Sequence, residues 1–141
     1  MQKLILIGKI EGFFEGEKPI TYIKDAKFII VSTDGINLQI IIHIPEPPYE
    51  YHAQAVKKFM DDNGYTEIYC YGGGKIVLGN TPDILFHSKS YAFGTANNET
   101  INKVAGEIWP GYEVEIMTTG TKVTEGRIYP KENIQHLVDN P

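Results

Sequence analysis

Two β-rich runs joined by an Asp-Gly dipeptide constrain the fold of this chain more than any other feature. The runs cover residues 21–32 and 36–44, and Asp34-Gly35 lies between them. Because glycine adopts positive φ at little cost, Asp-Gly between two strands favours a β-hairpin. The proline-rich segment 45–48 follows, and proline cannot donate a hydrogen bond to a sheet. The sequence therefore predicts an antiparallel hairpin that ends before this segment.

Helical periodicity follows the hairpin in two places. In residues 49–63 apolar side chains recur at helical spacing, and Gly64 is suited to end that helix. A second helix is predicted to begin near Asn98, a favourable N-cap residue, and to end at Pro110-Gly111. Each predicted helix has one apolar side to bury against a sheet.

Shorter β-rich runs account for most of the remaining chain. The further predicted strands are residues 3–10, 66–71, 75–78, 84–90 and 112–118. The glycine triplet at residues 72–74 is interpreted as a hairpin turn between two of them. Together these elements predict an α+β fold, in which a single mixed β-sheet of about six strands is flanked by two helices.

The length and amino-acid composition of the chain indicate one globular domain over residues 1–141. The segment 122–141 is the least regular, and Pro130 with the polar ending predicts a surface extension. The formal net charge of -5 argues against nucleic acid as a partner. The single Cys70 is typical of a reducing compartment, and the chain has neither a signal peptide nor a membrane-spanning run. We therefore expect a cytoplasmic protein without a membrane partner.

His52 is the leading candidate for a chemical role, because it lies near the start of the first predicted helix on its apolar side. An isolated histidine in that position is more often a core or capping residue. A helix N-terminus, however, disfavours the imidazolium and favours an anion nearby. The neutral ring is the form that can attack phosphorus or accept a proton. Both interpretations remain open from His52 alone.

Other segments offer groups that could hold an anion beside this histidine. The small-residue stretch 90–96 joins a predicted strand to the second helix, so its backbone N–H groups could approach an anion closely. An ordinary connecting loop and solvated lysines would give the same pattern. The candidate residues are Ser90, Tyr91 and Ala92 in the loop, with Lys3 and Lys75 as the cations.

Other catalytic signatures are not found. Residues 72–76 resemble the end of a P-loop, but the upstream glycine is missing and Ile76 replaces the required Ser or Thr. The four histidines lack the paired spacing of a zinc site and Cys70 is isolated, so no metal site is predicted. His43 lies on the polar side of its predicted strand and is assigned a structural role.

The chain carries four blocks in a fixed order, which are Glu50-Tyr51-His52-Ala53, Cys70-Tyr71-Gly72-Gly73-Gly74-Lys75-Ile76, Ser90-Tyr91-Ala92-Phe93-Gly94 and Trp109-Pro110-Gly111-Tyr112-Glu113-Val114. In this order they resemble the protein histidine phosphatase family, the Janus/ocnus group. The clear resemblance covers residues 49–116, and residues 3–7 are similar to the family's first strand.

The resemblance implies a six-stranded sheet between two helices. It also implies a phosphatase that needs no metal or cofactor and acts on phosphohistidine in proteins or peptides, with phospholysine as a further candidate substrate. His52 would be catalytic, either as the nucleophile or as the general base. The other residues that the resemblance implies are Lys75 and Lys3, which would hold phosphate, and Ser90, Tyr91 and Ala92, which would supply hydroxyl and backbone contacts.

The chain departs from the family pattern at three places. Lys75 stands where arginine is common, which removes the bidentate fork of a guanidinium group. Residues 44–48 lack the basic residues that family members often carry before the catalytic helix, and the segment beyond about residue 118 has no counterpart. These departures leave a second function open, a non-catalytic module that binds a phosphorylated or other anionic group on the same fold.

Overall fold

The computed structural model describes residues 2–141 and has an α+β fold, as the sequence predicts. Within this range the main sheet contains nine strands rather than about six, and three α-helices form rather than two. None of the helices in the described residues is long and apolar enough to cross a membrane.

The sheet is mixed, and its central strand order is β1-β5-β4-β6-β7-β9. The strands are β1 (Leu4–Ile7), β2 (Phe14–Glu15), β3 (Lys18–Pro19), β4 (Ile23–Ser32), β5 (Gln39–His43), β6 (Glu67–Leu78), β7 (Asp83–Ser88), β8 (Thr95–Ala96), β9 (Glu113–Thr118), β10 (Val123–Thr124) and β11 (Arg127–Pro130). The α-helices are α1 (His52–Asn63), α2 (Asn98–Ile108) and α3 (Lys131–Asp139), and Lys9–Phe13 forms a 3-10 helix. β1–β5 and β7–β9 pair in parallel, whereas β4 and β6 are antiparallel to their central neighbours. β2 and β3 form a separate two-stranded ribbon.

The predicted hairpin is confirmed as the antiparallel pair β4–β5. Its loop is longer than a two-residue turn. The Asp34 carboxylate organises this loop by accepting hydrogen bonds from the N–H groups of Ile36 and Asn37 at 2.8 Å each. These bonds favour the ionised form and hold the pKa of Asp34 well below its usual range.

The two sides of the sheet carry two apolar cores. α1 packs over one side against residues such as Ile29 and Ile41, whereas α2 packs over the other side against residues such as Phe28 and Ile40. Successive residues of one strand therefore belong to different cores, as the pleat requires. The side of a strand residue decides which helix it meets, and the candidate site lies on the α1 side.

Both predicted helices are confirmed with small changes at their starts. α1 begins at His52, preceded by Tyr51, whose N–H donates to the Gln54 side chain at 2.9 Å. It ends at Gly64 in the left-handed conformation, as expected. The N-cap of α2 is Asn97 rather than Asn98, and its side chain accepts a hydrogen bond from the N–H of Glu99 at 2.8 Å.

The predicted turn at residues 72–74 is wrong, because all three glycines lie inside the continuous strand β6. Gly72 has a φ of 91°, and the pairing register with β4 shifts by one residue around it, which is a β-bulge. The shift reverses the side that each following residue faces. Cys70 belongs to the α1-side core, whereas Ile76 belongs to the α2-side core. The bulge therefore places Lys75 on the α1 side.

The C-terminal segment is not a surface extension, and this corrects the expectation for residues 122–141. β11 pairs with β6 in an antiparallel arrangement. α3 packs against α1, with Ile134 fully buried, and Lys131 forms an ion pair with Asp61 of α1 at 2.8 Å. Pro130 did not indicate an excursion, because it stands at the end of β11 and immediately before the helix, where proline is tolerated.

Candidate functional site

His52 lines a cavity of about 610 Å³ beside the start of α1, and its side chain is only 7% exposed. The ring nitrogen Nε2 lies 3.0 Å from the carbonyl oxygen of Gly74. Because a carbonyl can only accept, Nε2 carries the proton and donates it. In the neutral ring the lone pair is then on Nδ1.

Gly73 of β6 makes room for this ring, and Gly74 allows β7 to approach β6 closely. A Cβ at Gly73 would lie 3.2 Å from His52 Cδ2 and 3.3 Å from Nε2, and it would collide with the carbonyl oxygen of Phe28. A Cβ at Gly74 would collide with the carbonyl oxygen of His87. The Cδ2–Nε2 bond of His52 therefore packs on bare backbone, and Nδ1 lies on the opposite side of the ring.

Burial lowers the pKa of His52 to about 3. Desolvation is the largest cause, and the hydrogen bond to Gly74 opposes it. The charge that His43 carries when protonated and the positive charge of Lys27 add to the lowering. His52 is therefore neutral at pH 7, as the sequence analysis expects. The main cause, however, is burial of the ring rather than the field of the helix N-terminus.

His43 is a direct neighbour of His52, which the sequence analysis did not anticipate. The two rings meet edge to face, with centroids 5.8 Å apart and an interplanar angle of 86°. The Nδ1–H of His43 donates to the carbonyl of Tyr49 at 2.8 Å, whereas its Nε2 is buried and has no partner among residues 2–141. Burial also lowers the pKa of His43 to about 4. The site therefore begins with two neutral imidazoles in contact.

Four polar residues form a cross-strand row over neighbouring strands. The register aligns His43 with Lys27, Lys27 with Lys75, and Lys75 with His87. Directly paired residues of an antiparallel sheet point to the same side, and His43 contacts α1, so the row faces α1. Lys75, which was predicted to hold an anion, is thereby brought beside Lys27.

Lys27 is the cation that sequence reasoning missed. Its ammonium group donates to the carbonyl of Glu50 at 2.7 Å and lies 5.3 Å from the centroid of the Tyr51 ring. Burial and the nearby charge of Lys75 lower the pKa of Lys27. The alternation of β4 was the available signal, since Lys27 shares a side with Ile29, which belongs to the α1-side core.

Lys27, Lys75 and Lys89 all line the His52 cavity, and none of its described lining residues has a carboxylate side chain. Like charges directly opposite each other on neighbouring strands are destabilising. A bound anion would relieve that repulsion between Lys27 and Lys75. The protein as a whole carries a net charge of -5. The side chains that line the cavity are therefore positively charged in a protein that is negatively charged overall.

Lys3 is not part of the site. Its ammonium group forms an ion pair with Glu107 of α2, and Lys3 does not line the His52 cavity. The prediction that Lys3 would lie beside His52 is therefore corrected, and the lysine that lines the cavity from the neighbouring strand is Lys27 of β4.

In the loop at residues 90–94, backbone groups are better candidates for a role in the His52 cavity than the hydroxyl group of Ser90. Ser90 is 2% exposed, and its Oγ accepts a hydrogen bond from the N–H of Phe93 at 3.2 Å, so the hydroxyl is used within the loop. Tyr91 and Ala92 do line the cavity. Their N–H groups donate no hydrogen bond within residues 2–141. The two amides are therefore not used by backbone acceptors of the described residues.

The C-terminal segment supplies one wall of the same cavity, through Leu137, Asn140 and Pro141. Sequence reasoning did not place this segment near His52, because no local pattern shows that α3 packs on α1. The cavity therefore combines a neutral imidazole, three ammonium groups and two unused amides. Such a set can bind a tetrahedral anion and can act on it as a nucleophile or a base.

Comparison with models of known protein families gives no match for this chain, and comparison with curated proteins gives none either. What can be proposed about function therefore comes from the residues of the site and from the sequence blocks that surround it.

Proposed function

We propose that this chain is a phosphohistidine phosphatase of the Janus/ocnus type, which hydrolyses the P–N bond of phosphohistidine in proteins or peptides. The observation that carries the proposal is the neutral, buried His52 beside the paired cations Lys27 and Lys75. The order of the four sequence blocks supports it. Phospholysine is a further candidate substrate because it also contains a P–N bond.

Phosphate binding is the first task of the site. The ammonium groups of Lys27 and Lys75 would hold two phosphoryl oxygens, and the N–H groups of Tyr91 and Ala92 would hold a third. Groups fixed in this way stabilise charge that develops in the transition state, and each contributes about 3–4 kcal/mol in known enzymes. We expect no metal ion or cofactor to be required, since the lysines supply the positive charge.

His52 would act through Nδ1, and two routes are compatible with the geometry. As a nucleophile, Nδ1 attacks phosphorus while the P–N bond to the substrate breaks, and water then releases phosphate from His52. As a general base, Nδ1 takes a proton from the water that attacks phosphorus while the P–N bond to the substrate breaks, and the departing nitrogen takes up a proton. A bound phosphate dianion would raise the low pKa of His52, which makes the second route stronger in the complex than in the free protein.

We expect the protein to act in the cytoplasm. Cys70 is a single buried thiol, which suits a reducing compartment such as the cytoplasm. The negative net charge favours phosphorylated proteins or peptides over nucleic acid as partners.

The direct test is hydrolysis of a phosphohistidine peptide by the wild type, His52→Ala and the control His136→Gln. His136 is a histidine on the exposed side of α3 that does not line the cavity. We expect His52→Ala to lose about 10²–10⁴-fold in rate, the usual range for a positioned acid–base group, and the control to retain activity. Equal turnover by wild type and His52→Ala would reject the proposed enzyme.

A binding module that holds a phosphorylated group without turnover is the second candidate. Two observations favour it: Lys75 cannot make the bidentate contacts of arginine, and a pKa of about 3 makes His52 a weak base. Calorimetric titration with a non-hydrolysable phosphonate analogue of phosphohistidine separates the two. Binding by a wild type that shows no turnover would support the module.

A further inference from the structure

A second cavity of about 920 Å³ adjoins the first and lies between the loop at residues 89–97 and the segment 120–129. We call it the trough. Three residues, Lys89, Tyr91 and Ala92, line both the trough and the His52 cavity. The two cavities therefore meet at a shared rim, and a ligand larger than a phosphate group could occupy both.

The trough has an excess of positive charge. Lys89, Lys122 and Arg127 line it, against a single carboxylate side chain, Glu125. None of these three cations forms an ion pair within the described chain. Lys89 lies over the Tyr91 ring and Arg127 over the Tyr129 ring, at 5.0 and 5.2 Å from the centroids. Cations without a carboxylate partner, concentrated on an acidic protein, are complementary to an acidic ligand.

The trough is also a formed surface rather than a gap between loose segments. One wall is held to the other by a hydrogen bond from the Thr95 N–H to the Lys122 carbonyl at 2.9 Å, and β10 pairs with β8 next to it. At the rim the Tyr91 side chain is 96% exposed, and within the trough Val123 is 55% exposed. Exposed aromatic and aliphatic groups among cations suit a polypeptide better than a simple inorganic ion.

We propose that the trough binds the polypeptide on one side of the phosphorylated residue and selects acidic side chains there. This inference rests on the proposed function of the His52 cavity. A free phosphate ion would fill only that cavity, whereas a peptide that crosses the shared rim would reach Lys122 and Arg127. Both residues belong to the segment beyond residue 118, so acidic selection is a property of the part of the chain that lies outside the family resemblance.

The test compares three peptides with a central phosphohistidine whose flanking positions are Glu, Gln or Lys on both sides. We expect kcat/KM to be highest for the Glu-flanked peptide and to exceed that of the Gln-flanked peptide roughly three- to tenfold, as a few exposed ion pairs allow. The double variant Lys122→Glu with Arg127→Glu should reverse the order in favour of the Lys-flanked peptide. Lys103→Glu, an exposed residue of α2, changes the charge in the same sense and should leave the order unchanged.

A milder pair, Lys122→Gln with Arg127→Gln, covers the case in which charge reversal disturbs folding, and it should abolish the preference. Wild-type hydrolysis with equal rates for all three peptides, or a preference that the trough variants retain, would overturn the inference and leave the proposed phosphatase intact.

A binding readout separates this inference from the proposed function. Fluorescence anisotropy is measured with the same peptides carrying a phosphonate analogue at the centre. Suppose that no peptide is hydrolysed, but that Glu-flanked analogues bind most tightly and the trough variants lose that preference. The proposed phosphatase activity is then rejected, and the proposed peptide binding by the trough is supported. If the analogues bind with no preference for acidic flanks, the proposal that the trough selects acidic side chains is rejected.

Discussion

The imidazole of His52 rests directly on the backbone of Gly73, with no room between them for a side chain. A Cβ at position 73 would lie 3.2 Å from the His52 ring and would also collide with the Phe28 carbonyl oxygen. The ring keeps its hydrogen bond to Gly74 only because this approach is possible. The glycines thus fix both the position and the tautomer of the proposed catalytic residue.

Gly73→Ala is therefore expected to destabilise the protein by about 1–3 kcal/mol, the usual cost of overpacking a close-packed interior, and to lower activity by displacing His52. Urea denaturation measures the change in the free energy of unfolding. Gly106→Ala is the matched control, because a Cβ there meets nothing within 4 Å and the residue lies in α2. That substitution should be neutral or stabilising by about 0.5–1 kcal/mol. Equal stability of the two variants would contradict the packing described here.

Lys27→Met is expected to weaken binding of the phosphonate analogue about tenfold or more, because a charge-assisted hydrogen bond contributes roughly 1.5–3 kcal/mol. Lys3→Met should bind like the wild type, since Lys3 pairs with Glu107 away from the cavity. Calorimetric titration of the two variants at one salt concentration gives the comparison. A loss of affinity in Lys3→Met with none in Lys27→Met would restore the sequence-based assignment.

The free energy of unfolding is expected to fall as pH decreases from about 6.5 towards 4. An unfolded histidine has a pKa of about 6.5, whereas burial lowers the pKa of His43 to about 4 and that of His52 to about 3. The unfolded chain therefore binds more protons in this window, and each histidine contributes up to about 1.4 kcal/mol per pH unit. Urea denaturation of His43→Asn should show a slope that is smaller by about one such contribution. The same slope in His43→Asn and wild type would show that His43 is not buried in its neutral form.

Both buried rings are expected to remain neutral at pH 5.5, each as a single tautomer. The hydrogen bonds place the proton of His52 on Nε2 and that of His43 on Nδ1. Two-bond ¹⁵N–¹³C correlation spectra of labelled protein distinguish the two forms. Saturation with the phosphonate analogue should shift the His52 signals towards the imidazolium at that pH, because a nearby dianion raises the pKa. Signals typical of imidazolium in the free protein would contradict the burial of the ring.

The sequence was sufficient where a local pattern decides the structure. The Asp34-Gly35 hairpin and both helix positions follow from turn chemistry and periodicity, and they appear in the structure. The sequence was insufficient where contacts between distant parts of the chain decide the structure. Residues 72–74 have the composition of a turn, yet close approach by β4, β7 and the His52 ring makes glycine necessary inside a strand.

The same limit explains the error over the cations. Lys3 and Lys27 are both lysines in β-rich segments. The alternation of β4 puts Lys27 on the side of Ile29, but it does not say which helix covers that side. Strand order decides this, since β4 is adjacent to β6 whereas β1 is at the edge of the central order. Likewise, only the packing of α3 on α1 brings Leu137 and Asn140 to the cavity.

The extra residue at Gly72 also has an evolutionary implication for Lys75. Deleting one amino acid there would remove the β-bulge from β6. The ammonium group at position 75 would then point into the apolar layer beneath α2. The side of the sheet that Lys75 faces thus depends on the number of residues in β6. The loss of a single codon from this strand would therefore do more harm than most substitutions among the residues that line the site.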